Sequence, residues 1–455
     1  MTASIFARTL ASAAMVEVFA DRSIVAAMLA FESALAEAEA AEGAIPPGAA
    51  APIAAASRAG AGDVDSLVDE ARRAGSLAIP LVKRLTATVA ERDEAAAAFV
   101  HHGSTSQDVI DTAMVIVTKR ALALIDADLA RLSASLRALA RAHLATPMLA
   151  RTLLQPAQVI SFGFKLVAWV APLLRARDRL AHARDTALRV QLGGAVGTLA
   201  TLGDKGPAVA RRLAAQLGLA TGEGAWHVQR DDWVALGCEV AVLCGSLGKI
   251  GRDIALLAQA EVGEVAEPSA SGRGGSSAMP QKRNPVAAMT AIAASVRAPH
   301  HAAALLAAMA PPHERGLGEW QAELAEWPSL FLETHGALAA LADACGGLEV
   351  NAARMRENID RQHGTVFAEA AAALLVPSLG KAKAHELLAA LSARAVGEGG
   401  DLHALLRAEP SLRGIDATAL AAAFDVDAAA RRAGTLAAAQ LDRLAPSPPS
   451  SGTPR

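Results

Sequence analysis

The chain has 455 residues, 53% hydrophobic but only 3% aromatic and without tyrosine, so Leu, Val, Ile and Ala must fill the interior, which favours close-packed helices. With 43 basic and 46 acidic residues the formal charge is −3, which excludes a nucleic-acid surface and a disordered acidic protein while allowing a local cation cluster to bind an anionic substrate. The mean hydropathy of +0.29 is inflated by alanine, and no stretch of about 18 uninterrupted apolar residues marks a membrane span.

The N-terminal stretch, in which Glu17 and Asp21 follow small residues without a long apolar core, reads as that of a mature cytoplasmic protein. Ile24, Met28, Phe31 and Leu35 line one helical face, and Gly43 with Pro46 and Pro47 supplies a stop. Leu122, Ile125, Leu129, Leu132, Leu136, Leu139 and His143 alternate three and four apart, predicting a helix from about Thr112 to Leu144, about 50 Å long. Further helices are predicted over Gln158 to Leu192, Asp232 to Glu261 and Pro285 to Met309, the last kinked at Pro299. Strand signals are nearly absent, and the long helices predict an all-α bundle. Helices shorten after Asn358, and the Pro/Ser-rich end reads as a disordered tail. Cys238, Cys244 and Cys345 form neither an even set nor a metal spacing, so reduced core thiols are expected.

Three polar islands interrupt this pattern. "HHGSTSQDVIDTA" (101–113) precedes the longest helix, where Thr105, Ser106, Gln107 and backbone N–H groups can meet an anion. Thr105, Ser106 or Asp108 can equally be an N-cap with no ligand, and His101 and His102 can be ordinary packed or surface side chains. In "ARTLLQPAQ" (150–158), Gln155 is a neutral donor suited to a carboxylate. "GRGGSSAMPQKRNPV" (272–286) has the composition of a linker, but it also sets Lys282 and Asn284 close to Ser276 and Ser277. A serine is a poor base unless its anion is stabilised, and the cation and glycine-rich backbone can supply that stabilisation.

Taken in order, "TSQD", "RTLLQ" and "GSSAMPQKRNP" resemble the fumarase/aspartase superfamily, the last being its signature. Within it, "QLGGAVGTLA", "WHVQRDDW" and "HERGLGEWQAELAEWPSL" resemble most the branch that lactonises a carboxylated muconate. The resemblance implies an all-α, three-region subunit: an N-terminal helical domain (1–111), a central long-helix bundle (112–358), a small C-terminal helical domain (359–445) and a tail (446–455). It also implies a homotetramer whose active sites are shared between subunits. Carried over by motif, Ser276 is the catalytic serine, acting with Lys282. Thr105, Ser106, Gln155 and Asn284 match substrate-contacting positions, and His101 matches the histidine before the Thr-Ser pair. Arg315 and His227 join this expected grip on three carboxylates, while Arg283 is expected to face solvent.

Two positions depart from many lyases of the superfamily. Leu153 stands where they have a histidine, and Met289 where they have a carboxylate, so the acid pair that protonates a nitrogen leaving group is missing. Lactonisation has no such need, because the attacking carboxylate is already ionised. The expected function is therefore cofactor-free ring closure of 3-carboxy-cis,cis-muconate, a small tricarboxylate, with Ser276 moving the proton at carbon. No metal cluster or nucleotide fingerprint appears, and no nucleic-acid or membrane partner is expected. The alternatives are another lyase of the superfamily, adenylosuccinate lyase first, and a non-catalytic helical scaffold.

Overall fold

The structure, a computed structural model, describes residues 5–269, 272, 274–275, 278–279 and 281–444. It is all-α in character: six helices of more than 20 residues dominate the described chain. They are α1 (Asp21–Ala41), α2 (Ser106–Ala142), α3 (Phe162–Ala187), α4 (Asp231–Leu257), α5 (Val286–Ala307) and α6 (Glu319–Cys345). The chain divides into two compact units. Unit 1 comprises 1–129, 175–248 and 290–340, and unit 2 comprises 130–174, 249–289 and 341–455.

In unit 1 a run of aromatic rings packs together in the core. Trp233 and Trp327 stack with ring centroids 3.9 Å apart and an interplanar angle of 12°, and Phe331 and Phe19 continue the chain of rings at 5.2 and 5.8 Å. Trp327 is fully buried, and its indole N–H donates to Thr118 Oγ1 at 2.9 Å, so its one polar atom is satisfied. Helix α4 is apolar enough by length and composition to cross a membrane. Its Val234, Leu236, Val240 and Leu243 are instead fully buried in this core.

Helix α2 begins six residues before the predicted start. The "TSQD" island is its first turn: the Asp108 carboxylate accepts the Thr105 N–H at 3.0 Å, one arm of a capping box. The buried series Val109, Ala113, Val117 and Ala121 then carries the apolar stripe back toward the N-terminus.

Unit 2 corrects the expectation of a strand-free chain. Strands β1 (Pro147–Thr152) and β2 (Gln155–Ser161) form an antiparallel hairpin with an irregularity between Leu149 and Arg151, so α3 starts at Phe162 and not at Gln158. The hairpin is hard to read because its two turn residues are Leu153 and Leu154, at φ 51° and 66°, where Asn-Gly is usual. Left-handed backbone costs a leucine about 1 kcal/mol. Arg151 offsets this by a two-pronged ion pair to the buried Glu264 at 2.6 and 3.0 Å, which ties the hairpin down. Strands β3 (Val265–Ala266) and β4 (Glu349–Val350) form a second, short antiparallel pair. The short C-terminal helices pack around Leu375, Leu388, Leu391, Leu402 and Leu406.

Replacing Trp327 by Ala removes the stacked ring and leaves the Thr118 hydroxyl unpaired. It is expected to lower unfolding stability by about 3–5 kcal/mol in urea titrations; a loss below about 1 kcal/mol contradicts the packing described.

Candidate active site

The candidate residues fall into two sets, one in each unit. In unit 1, Arg315 lies against the first turn of α2. Its Nη1 donates to Thr105 Oγ1 at 2.8 Å and its Nη2 to Ser106 Oγ at 3.2 Å. Both hydroxyls accept from the guanidinium, so their own O–H groups remain available to an anion. The helix N-terminus adds its partial positive charge, so these groups are of the kind that suit an anion.

His227 belongs to the same set. Its ring is buried, and Nε2 lies 2.7 Å from Asp108 Oδ1. Gln107, expected with Thr105 and Ser106 to meet an anion, instead directs its amide N–H groups to the His227 carbonyl at 3.0 Å and to Asp111 at 3.2 Å.

His101 sits at φ 60°, and its Nδ1 is 2.6 Å from the buried carboxylate of Glu32. Burial works to lower the proton affinity of this imidazole, but the charge of Glu32, the hydrogen bond and then Asp108 outweigh it, and its pKa is raised. Two helical turns further along α1, Glu39 is fully buried and neither of its carboxylate oxygens has a hydrogen-bond partner among the described residues. Burial, then the charge of Glu32, pushes its carboxyl up to about 9.

Beneath this set lies an ion cluster given no role from the sequence. Arg230, almost fully buried, donates to Asp111 at 2.8 and 3.3 Å and through Nε to Glu323 at 3.1 Å, with a second, close contact from Nη2 to Glu323. Trp320 donates to Asp111 at 2.9 Å, and Trp226 lies 4.5 Å from the guanidinium. The two carboxylates outweigh the cost of burial and hold Arg230 charged. The signal available in sequence was a run of charges, "QRDD", opening an otherwise apolar helix.

In unit 2, Lys282 and Asn284 line a cavity of about 620 Å3, together with Glu267, Pro268, Gly274 and Glu349. Ser276, assigned as catalytic by motif, lies outside the described residues, as do Arg273 and Ser277. The loop's ends are nevertheless fixed. Asn284 N–H donates to Gly274 O at 2.8 Å, and Gly274 holds φ 68° where a Cβ would stand 2.5 Å from Asn284 O. Glu267, just before the loop, accepts the N–H groups of Ala287 and Ala288 at 3.0 and 2.9 Å, capping α5 just after it. Arg283 is exposed as expected, lines the same cavity, and also donates to Glu349 at 2.8 and 3.2 Å and to Glu267 O at 2.7 Å. A carboxylate two strands' pairing away competes with water for it, which sequence spacing cannot reveal. Gln155 is exposed on the hairpin and is not part of the cavity lining; Leu153, at the turn, is 96% exposed, and Met289 is 57% exposed on α5.

Among the described residues no group of three His, Cys, Asp or Glu could hold a metal. The long-helix fold is that of an all-α lyase, and the candidate residues gather at a helix N-terminus in one unit and beside a glycine-rich segment in the other. A family model described as Lyase matches residues 7–298, and one described as adenylosuccinate lyase C-terminus matches residues 364–439. This chain belongs to that lyase family, within the fumarase/aspartase superfamily. A 3-carboxy-cis,cis-muconate cycloisomerase of Bradyrhizobium diazoefficiens is 48% identical over 89% of this chain and 90% of its own length. A nitrosuccinate lyase of Streptomyces davaonensis is 43% identical over 86% of this chain and 84% of its own. The crystal structure of the 3-carboxy-cis,cis-muconate lactonizing enzyme from Pseudomonas putida matches with a TM-score of 0.90 at 43% identity, over 97% of this chain and 99% of that one.

Glu39 generates a pH prediction. The unfolded chain ionises this group near 4.5, while the fold retains its proton until about 9, so stability from this group is lost as pH rises through that window. Glu39→Gln is therefore expected to gain in Tm over the wild type progressively from pH 5 to pH 8. A pH-independent difference in thermal unfolding contradicts the assignment.

Proposed function

We propose that this chain catalyses the cofactor-free lactonisation of 3-carboxy-cis,cis-muconate to a carboxymuconolactone. The observation that carries the reading is the 48% identity, across nine-tenths of both chains, to a relative that bears that cycloisomerase name. The chemistry agrees with the residues. One substrate carboxylate forms a C–O bond to an alkene carbon, and the electron pair moves into the conjugated carboxylate as an enolate-like anion. Ser276 then gives a proton to the carbon and regains one from solvent, so the trianion becomes a dianionic lactone with no group lost. Lys282, Asn284, Thr105, Ser106, Gln155, Arg315, His227 and His101 hold the carboxylates curled for attack. Lys282 also stabilises the developing charge. Leu153 and Met289, in place of an acid pair, suit a reaction whose nucleophile is ionised and whose product keeps every atom.

The same reading includes a three-region subunit, a cytoplasmic homotetramer with active sites shared between subunits, and a place in the protocatechuate branch of aromatic degradation. A second reading has a specific basis: nitrite leaves a nitrosuccinate without needing a proton, so the missing acid pair and the 43% identical relative also fit that elimination.

The test is parallel incubation with 3-carboxymuconate, nitrosuccinate, adenylosuccinate and argininosuccinate, followed spectrophotometrically. Turnover of 3-carboxymuconate is expected to dominate, and Ser276→Ala is expected to lower kcat about 100- to 1,000-fold with KM little changed. Preferred turnover of another substrate replaces the reading, and near-normal kcat in the variant removes Ser276 from the proton transfer.

A further inference from the structure

The acid pair absent at Leu153 and Met289 is not the only imidazole and carboxylate that the chain could use. Unit 1 holds His227 and Asp108 in contact, in the same set as Thr105, Ser106 and Arg315. We propose that Asp108 is a positioning residue that fixes the His227 ring with its Nε2–H inward, so that Nδ1 is the nitrogen presented to a substrate carboxylate. The substrate class rests on the lactonisation reading; the positioning does not.

Asp108 is fully buried, and four donors converge on its carboxylate: Thr105 N–H at 3.0 Å, Gly193 N–H at 3.0 Å, Gly194 N–H at 2.9 Å and His227 Nε2 at 2.7 Å. A carboxylate ringed by N–H groups only accepts, so His227 donates through Nε2. Nδ1 is then a bare acceptor in the neutral ring and a second donor in the imidazolium. A carboxylate ligand meets Nδ1 only as a donor, so its binding brings a proton to that nitrogen.

Two further contacts restrain the imidazole. A Cβ on Gly193 would stand 3.0 Å from His227 Cε1 and 2.5 Å from the Cβ of Ala225, so only glycine lets the backbone lie against the ring edge. Gln107 holds the His227 carbonyl at 3.0 Å. The Asp108 carboxylate also pins the Thr105 N–H, so the histidine and the two hydroxyls under Arg315 share one anchor. The other charged groups around the pair are Arg315, Asp111 with Arg230, and His101 with Glu32.

Asp108→Asn tests the inference, because an amide cannot accept from four donors. Its NH2 is satisfied by a bare Nε2, which moves the ring proton to Nδ1, so a ligand carboxylate meets a neutral N–H and not a charge-assisted one. In assays with 3-carboxymuconate, D108N is expected to lower kcat/KM about 100-fold, chiefly through KM, and to remove one ionisation from its pH profile. H227Q is expected to match it, and the double variant to be no worse than either. Losses that multiply in the double variant, or an unchanged pH profile in D108N accompanied only by a lower Tm, overturn the proposal. Calorimetric binding of tricarballylate, an unreactive tricarboxylate, in two buffers of different ionisation enthalpy separates this from the function itself. The wild type is expected to take up a proton on binding and D108N not to, whether or not 3-carboxymuconate is turned over. Equal uptake by both overturns the positioning and leaves lactonisation intact. Gly193→Ala, which displaces the ring without altering the carboxylate, gives the same readout should D108N fail to fold.

Discussion

Two carboxylates buried in the first turn and a half of one long helix organise unit 1. Asp108 and Asp111 stand three residues apart at the start of α2, both almost without exposure. A charge taken out of water must be paired or hydrogen-bonded, so each aspartate requires specific partners from distant segments. Asp108 draws in the backbone of Gly193 and Gly194 and the ring of His227; Asp111 draws in Arg230, Trp320 and Gln107. Arg230 in turn fixes Glu323 on α6. The candidate anion-binding side chains are thus tied to buried charges, each of which would cost more left unpaired than its contact contributes.

The second set is built differently. Lys282 and Asn284 follow one another on a segment whose geometry is set by hydrogen bonds at its two ends: Gly274 O to Asn284 N–H, and the Glu267 side chain on the first turn of α5. Arg283, between the two binding candidates, is directed to Glu349 and to the Glu267 carbonyl. All three residues of the "KRN" triplet line the cavity, and Arg283 is the one engaged there by a carboxylate.

Much of the fold was legible because long helices declare themselves through a 3.6-residue period. Leu122, Ile125, Leu129, Leu132 and Leu136 are all buried along α2 as their spacing required. The hairpin at Pro147–Ser161 was not legible: its turn carries two leucines in left-handed conformation, and the compensation comes from an ion pair between Arg151 and Glu264, 113 positions apart. The motif residues Thr105, Ser106, Lys282 and Asn284 could be singled out because each lies within a few residues of the others that define its motif. Asp108, one of three candidates for the N-cap, lies instead inside the first turn, where it accepts the Thr105 N–H, and its contact with His227 is 119 positions away in sequence.

The sequence by itself determined the all-helical class, the lyase family and the chemical types gathered for an anionic substrate, because periodicity and short motifs are local properties of the chain. Only the tertiary structure decided which nitrogen of His227 is occupied, that Arg315 lies on the Thr105 and Ser106 hydroxyls, and that Arg230 neutralises two buried acids. Those outcomes depend on hydrogen-bond geometry between residues remote in sequence. The cost of burying a charge is fixed by what surrounds it in space, which no spacing along the chain records.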